Sequence, residues 1–409
     1  MVLVVLGAVW ALLLGIALLK LSMGLHASLL GLRATLEGFS AGSTGFLMSA
    51  YFVGFLVSSI VTPKLIMRVG HVRVFAALAS LASVAVLMHS IFINAVAWGF
   101  FRLITGFCYA GLYMVAESWL NDKAENETRG RILSIYMMVQ FVGMAGGQLL
   151  LNVADPEGFE LFVLVSALVS LALVPILLSV APAPHYAMTS HVGLKSLFSF
   201  APIGVAGAFG SGLANGALLA MGSFYAAKVG FSIVETSLFM GAVIIGGGIL
   251  QWPIGRLSDH IQRRTVITTT TLLAALTASI ATMVSGTPGP LLFALVALYG
   301  GLSLPLYSLC LATTNDGLRK EQMVAAGSAL ILVSGVGAVL GPVVVAQFMT
   351  FMGPNGFFWF FAVVHGGVGL IAVVRMTVKE PFPLEQQTEY QPIPPRGTHM
   401  ATVLAAQDK

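Results

Sequence analysis

Twelve long apolar stretches limit what this chain can fold into. They fall at about 3–30, 43–63, 72–92, 94–120, 131–153, 158–180, 199–227, 233–254, 264–285, 288–314, 322–350 and 354–376. A helix that crosses a bilayer needs roughly 20 mostly apolar residues, and each stretch meets or approaches that length. Of the 409 residues, 57% are hydrophobic and 9% are charged. A soluble domain carries about 25% charge, so water is not the solvent for most of this surface. Backbone polar groups in lipid must be satisfied within their own segment, so the stretches are expected to be helices. The expectation is an all-α membrane protein with twelve transmembrane helices.

The segments between the stretches give the topology. All but four of the 20 Lys and Arg residues fall in alternate connections and the two terminal regions. The exceptions are Arg33 and Lys228, in the other set of connections, and Lys20 and Arg102, inside spans. Positive charge marks the cytoplasmic side, which places both termini inside a bacterial inner membrane. The net charge of +4 is then a property of cytoplasmic loops and implies no nucleic-acid partner. The first stretch lacks a basic start and a small-residue cleavage site, so it reads as a retained helix. The two cysteines, Cys108 and Cys310, lie in apolar runs and support no disulfide framework or metal cluster. No cofactor is implied. The longest polar break, 181–198, reads as a cytoplasmic linker. Residues 377–409 hold Glu380, Pro381, Pro383, Pro394 and Pro395 and show no apolar periodicity, and they read as a disordered tail.

The two halves repeat. Gly38-Phe39-Ser40 recurs as Gly230-Phe231-Ser232. At nearly the same offset, Leu112-Tyr113 matches Leu306-Tyr307, Asn121-Asp122 matches Asn315-Asp316, and Gly143 and Gly147 match Gly337 and Gly341. This divides the chain into six-helix bundles over 1–180 and 199–376. Paired structural repeats of this kind characterise secondary transporters, and nothing in the chain suggests more than a monomer.

One basic stretch interrupts the apolar second half: Gly255-Arg256-Leu257-Ser258-Asp259-His260-Ile261-Gln262-Arg263-Arg264. It resembles the loop signature between helices 8 and 9 of the major facilitator superfamily, with His260 and Gln262 departing from it. The first half carries a degraded copy over 63–73, with Arg68, Gly70 and Arg73 kept and Met67 in place of the aspartate. The resemblance covers about 1–376. It implies the superfamily fold and a latch that locks the halves on the cytoplasmic side. By pseudo-symmetry Asp259 is expected to cap helix 5 near Arg129 and Arg131, since carboxylates are stabilised at helix N-termini. Glu117 is expected to pair with Arg73 or Arg68 in that latch, with proton coupling as the alternative. Gln148 stands where the superfamily's antiporter motif carries a proline, which weighs against drug–proton antiport.

Lys20 and Arg102 are the candidate binding residues. A cation at the bilayer centre costs roughly 2.5–3.5 kcal/mol on insertion scales. Both are expected at similar depth, about 15 Å and about 12 Å from the outer surface at 1.5 Å per residue. The resemblance places helices 1, 4, 7 and 10 around the central cavity, and Arg102 matches the superfamily's helix 4 arginine. On this reading neither half offers a carboxylate at that depth. The repeat puts Gly212 and Val296 at the equivalent positions. An anionic substrate is therefore expected to supply the counter-charge; the alternatives are a neutral Lys20 or bonding to backbone carbonyls. His26, Tyr109, Tyr113, Asn215 and Tyr307 occupy plausible cavity positions, and His26 is also a candidate for proton coupling, being able to titrate near neutral pH. His89 and His365 have no such context. The overall expectation is a transporter, not an enzyme, that moves a small organic anion, with protons as a possible co-substrate. Efflux of cationic or amphipathic compounds is the alternative, and a membrane receptor is the reading from another class.

Overall fold

The computed structural model describes residues 2–124, 128–178, 197–198, 200–316, 318, 320–378, 382–394, 398 and 400–401. Apart from residues 197 and 198, the expected linker at 181–198 lies outside them. The first half contains α1 (Val2–Leu36), α2 (Ala41–Val69), α3 (His71–Ile91), α4 (Ala95–Lys123), α5 (Arg129–Leu149) and α6 (Glu160–Leu177). The second contains α7 (Pro202–Lys228), α8 (Ile233–His260), α9 (Arg263–Met283), α10 (Pro290–Ser303), α11 (Leu306–Asn315), α12 (Lys320–Met352) and α13 (Gly356–Val378). Leu304 and Pro305 break the tenth span into α10 and α11. Among the described residues, twelve helical stretches are long and apolar enough to cross a membrane.

The repeated Gly-Phe-Ser triplets do the same local work twice. Gly38 and Gly230 adopt positive φ, 73° and 87°, where glycine has no Cβ penalty. The amides of Phe39 and Phe231 bond back to Ala34 and Ala226 carbonyls at 2.8 and 3.0 Å, the Schellman arrangement that closes a helix. The serine that follows caps the next helix: Ser40 accepts from the Ser43 amide, and Ser232 forms a capping box with Glu235.

Glycines also set the helix packing inside each half. A Cβ at Gly147 would lie 2.8 Å from the Leu25 amide nitrogen on α1, and one at Gly341 would lie 2.9 Å from the Ala217 nitrogen on α7. The repeat-related pair thus lets α5 approach α1 and α12 approach α7 backbone to backbone, as small residues allow in membranes.

The halves meet at the end of the bundle that carries Leu36 and Ala41. Gly31 faces Ser223, Gly45 faces Pro342, the Ser49 hydroxyl donates to the Val339 carbonyl at 2.5 Å, and Ser237 donates to the Gln148 carbonyl at 2.7 Å. Toward the other end, a cleft of about 830 Å³ opens between α5 and α8, lined by Met137, Phe141, Trp252, Arg256 and Asp259.

The expectation of a disordered tail at 377–409 is corrected for the part of it that is described; residues 379–381, 395–397, 399 and 402–409 lie outside the described residues. Residues 382–394, 398, 400 and 401 fold back against the bundle at its open end, with Ile393, Thr398 and Ala401 fully buried. Their polar groups replace water with fixed partners from both halves, described below. Isolated residues such as Ile393 and Met400 carry no periodic signal, so a pattern search passes over them.

Candidate functional site

Lys20 sits deep in α1 at 1% exposure. Its ammonium lies 3.7 Å from the centre of the Tyr113 ring on α4, within cation–π range. Room for it comes from Gly143 on α5, where a Cβ would stand 2.7 Å from the Lys20 Cβ. Arg102 is buried on the same helix as Tyr113, and its guanidinium lies 4.4 Å from the centre of the Tyr51 ring on α2. Tyr51, Tyr109 and Tyr113 form a ladder of rings between the two cations, with centroids 6.5 and 6.2 Å apart. Ser22 and the Tyr109 hydroxyl share a 2.5 Å hydrogen bond, and the Tyr113 hydroxyl reaches the Met23 sulfur at 3.3 Å.

The expected common depth of the two cations is not observed. Helix α1 runs on to Leu36, which puts Lys20 about 24 Å along the axis from that end. Arg102 lies about 10 Å from the start of α4 at Ala95. The ladder separates them, and they form two sites.

The expectation that no carboxylate comes near Lys20 is also overturned. Glu117 is fully buried one helical turn beyond Tyr113, and the charge of Lys20 acts on its carboxylate. Nor does Glu117 pair with Arg68 or Arg73, which are both exposed. Its Oε1 accepts from the Tyr136 hydroxyl on α5 at 2.5 Å, and its Oε2 accepts from the Thr398 amide at 3.2 Å and from the Thr398 hydroxyl. The carboxylate lies about 9 Å inside the end of α4 at Lys123, while Arg68 on α2 and Arg73 on α3 face outward.

Arg102 keeps different company. His26 and His89 meet edge to face with ring centroids 5.0 Å apart, and Arg102 acts electrostatically on both. His89 therefore has a context after all: its Nδ1 donates to the Ala85 carbonyl at 2.8 Å, and its ring stacks on Phe162. His26 joins this group and not the Lys20 site. In the second half, Ser303 donates to the Asn215 side-chain oxygen at 3.0 Å and meets His365 Nε2 at 3.2 Å, and Tyr299 completes the group at 3.0 Å from the same nitrogen. Asn215 and His365 are thus held in one polar knot. The hydroxyl of Tyr307, the repeat equivalent of Tyr113, is buried without a hydrogen-bond partner among the described residues. Among the described residues no group of His, Cys, Asp or Glu is arranged to hold a metal ion.

The basic stretch at 255–264 is engaged, but not with α5. Asp259 accepts from Arg263 Nη2 at 3.3 Å and from the Tyr390 amide at 2.8 Å. The expected cap on the start of α5 is therefore absent: the halves are apart at this end, and the returning tail has taken the carboxylate. Arg263 also pairs with Asp316 and donates to the Thr388 carbonyl. Burial raises the Asp316 carboxyl above its ordinary pKa, while Arg263 and Thr388 oppose the shift. Arg256 lies over Trp252 at 5.4 Å, and Gly255 leaves space for the Tyr390 ring, whose Cγ would lie 3.1 Å from an added Cβ. Gly70, at φ 87°, turns the chain from α2 into α3. Arg264 is partly buried at the start of α9. Tyr51, Tyr136, Met23 and Thr398 were not foreseen; the first three carry no charge or motif that separates them from ordinary packing residues.

The model of the Major Facilitator Superfamily matches residues 5–330 and 204–399. The uncharacterized MFS-type transporter YcaD of Escherichia coli (strain UTI89 / UPEC) is 30% identical over 380 residues, 92% of this chain and 97% of the relative. The YcaD protein of Escherichia fergusonii is 29% identical over 349 residues, covering 85% and 90%. Among solved structures, the nucleoside transporter NupG superposes with a TM-score of 0.70 at 12% identity, covering 90% of this chain and 98% of that one. A bacterial homolog to the human lysosomal transporter Spinster, inward-facing and occupied, superposes with a TM-score of 0.72 at 15% identity, covering 93% and 97%.

Proposed function

The chain belongs to the major facilitator superfamily, and from that premise we propose that it carries a small organic anion across a bacterial inner membrane together with a proton. The observation that supports this cargo is Lys20, buried to 1% exposure with its ammonium on the Tyr113 ring and Glu117 within its field. A buried lysine and a buried glutamate are together neutral. An anion that joins Lys20 adds a negative charge to a region of low dielectric, where uncompensated charge is costly. Protonation of Glu117 restores the balance. Anion and proton are then bound together, which is the condition for symport. Tyr109 and Tyr307 are the hydroxyls proposed to orient the cargo. Movement follows by rocking the monomer's two six-helix halves about this midplane site, and the basic loops put the sealed end on the outside.

Glu117 favours a second reading. A buried carboxylate in the cavity suits an organic cation, and efflux of cationic amphipaths follows if Glu117 and not Lys20 holds the cargo.

Flux in proteoliposomes separates the two. The panel is a set of labelled carboxylates, sulfonates and quaternary amines, with and without an imposed acid gradient. We expect acid-driven uptake of at least one carboxylate, lost in Lys20→Gln. Uptake of an amine that survives Lys20→Gln and is lost in Glu117→Gln would establish the second reading. Undiminished carboxylate uptake by Lys20→Gln would remove the first.

A further inference from the structure

The tail's course across the open end of the bundle is a sequence of specific contacts. The Thr388 amide and hydroxyl both donate to Asp316 at 3.0 Å, and the Thr388 carbonyl accepts from Arg263. Two residues on, the Tyr390 amide holds Asp259 at 2.8 Å, and its ring rests on Gly255. Ile393 exchanges two bonds with the Ser308 hydroxyl, its amide donating at 2.9 Å and its carbonyl accepting at 3.2 Å. Thr398 donates from its amide and its hydroxyl to Glu117 of the other half. Three anchors belong to the second half and one to the first, so the tail bridges the gap between them.

From these contacts we propose that the described tail residues, 388–394, 398, 400 and 401, form a tethered plug. It closes the Lys20–Glu117 site from the end of the bundle where the halves stand apart. Two consequences follow from position alone. Thr398 occupies the carboxylate that borders Lys20, so a solute entering from this end and the seated tail exclude each other. Asp259 and Arg263 are tied to Thr388 and Tyr390, so the halves cannot close at this end until the tail withdraws. Being covalently attached, the tail acts at an effective concentration in the millimolar range, so release needs either a competing ligand or a change in the tail itself. Isolated apolar residues in an otherwise polar segment fit this use: Ile393 and Ala401 fill buried positions.

The test reads the site's accessibility and needs no knowledge of the cargo, so it stands or falls apart from the anion reading. Ser308→Cys is placed in full-length protein that also carries Cys108→Ala and Cys310→Ala, and is purified in detergent. Its labelling by a sulfonate-bearing methanethiosulfonate is timed with and without Thr388→Val plus Thr398→Val. Each of those substitutions removes a hydroxyl donor to a carboxylate. Losing even one hydrogen bond to a charged group shifts an equilibrium about tenfold, so labelling is expected to be at least about tenfold faster. Ile393→Asp, which lies in the tail and leaves all twelve spans intact, is expected to give at least as large an increase, because a buried unpaired carboxylate is strongly disfavoured. Labelling at the same rate in all three proteins would overturn the proposal.

Discussion

Lys20 lies with its ammonium 3.7 Å from the centre of the Tyr113 ring, and Glu117 follows Tyr113 by one turn of α4. The ammonium therefore has two sources of stabilisation, the face of the Tyr113 ring and the field of the Glu117 carboxylate. A cation–π contact that is removed from water is worth about 2 kcal/mol. This is close to the roughly 2.5–3.5 kcal/mol that a cation costs at mid-bilayer on insertion scales, so the ring alone offsets much of the cost of placing Lys20 there.

Tyr113→Leu should consequently weaken the site more than Tyr113→Phe. The leucine removes the ring, and the expected loss in apparent affinity for a carboxylate is about 30-fold, the equivalent of about 2 kcal/mol. The phenylalanine keeps the ring and loses only a weak donor to the Met23 sulfur, for which little change is expected. Concentration-dependent flux in proteoliposomes gives both numbers, and equal effects would count against a role for the ring.

Glu117→Gln separates binding from coupling. The amide oxygen can still accept from Tyr136, but the side chain can no longer take a proton. Exchange of labelled for unlabelled carboxylate across the membrane should continue, while accumulation driven by an acid gradient should disappear. Acid-driven accumulation that persists in this variant would place the proton elsewhere, with His26 and His89 beside Arg102 the next groups to vary.

Much of the architecture was legible in the sequence because its signals repeat. Span length follows from bilayer thickness, and the Gly-Phe-Ser triplets and paired glycines mark the same turn and the same close approach twice. The site was legible only in part. Lys20 and Arg102 stand out as charges within apolar runs, but their depths depend on where each helix ends, and α1 continues through Ala34 and Leu36 beyond the last run of strong apolar character. That error of six residues hid Glu117 from Lys20. The partners of Glu117 were hidden for another reason: Tyr136 and Thr398 reach it from other elements, one of them a tail with no periodic pattern.

Packing supplies a further prediction. Gly143→Ala should strain the contact between α5 and α1, because its Cβ would meet the Lys20 Cβ at 2.7 Å. Overpacking of this kind costs about 1–3 kcal/mol. Gly341→Ala meets backbone on α7 and should cost a similar amount. Gly366→Ala in α13 meets nothing within 4 Å and should be neutral or stabilising by up to about 1 kcal/mol, since alanine favours the helix. Thermal unfolding in detergent orders the three, and a destabilised Gly366→Ala with a neutral Gly143→Ala would contradict this packing.

The last prediction concerns the seal where the halves meet. A Cβ built on Gly31 lies 3.3 Å from the Ser223 Cβ, slightly short of the roughly 3.5–4.5 Å that a disulfide spans. The native Cys108 and Cys310 are both buried and do not compete for the new thiols. The pair Gly31→Cys and Ser223→Cys should therefore oxidise to a bridge with a small relaxation of α1 against α7. A rocking carrier must part these helices once per cycle, so the bridge should arrest flux and a reductant should restore it. The position of the bridge makes the outcome informative. It touches neither Lys20 nor Glu117, so arrest cannot come from damage to the binding residues. Flux that continues in the fully bridged protein would mean that these two helices need not separate, and that the halves do not move as rigid bodies about the site.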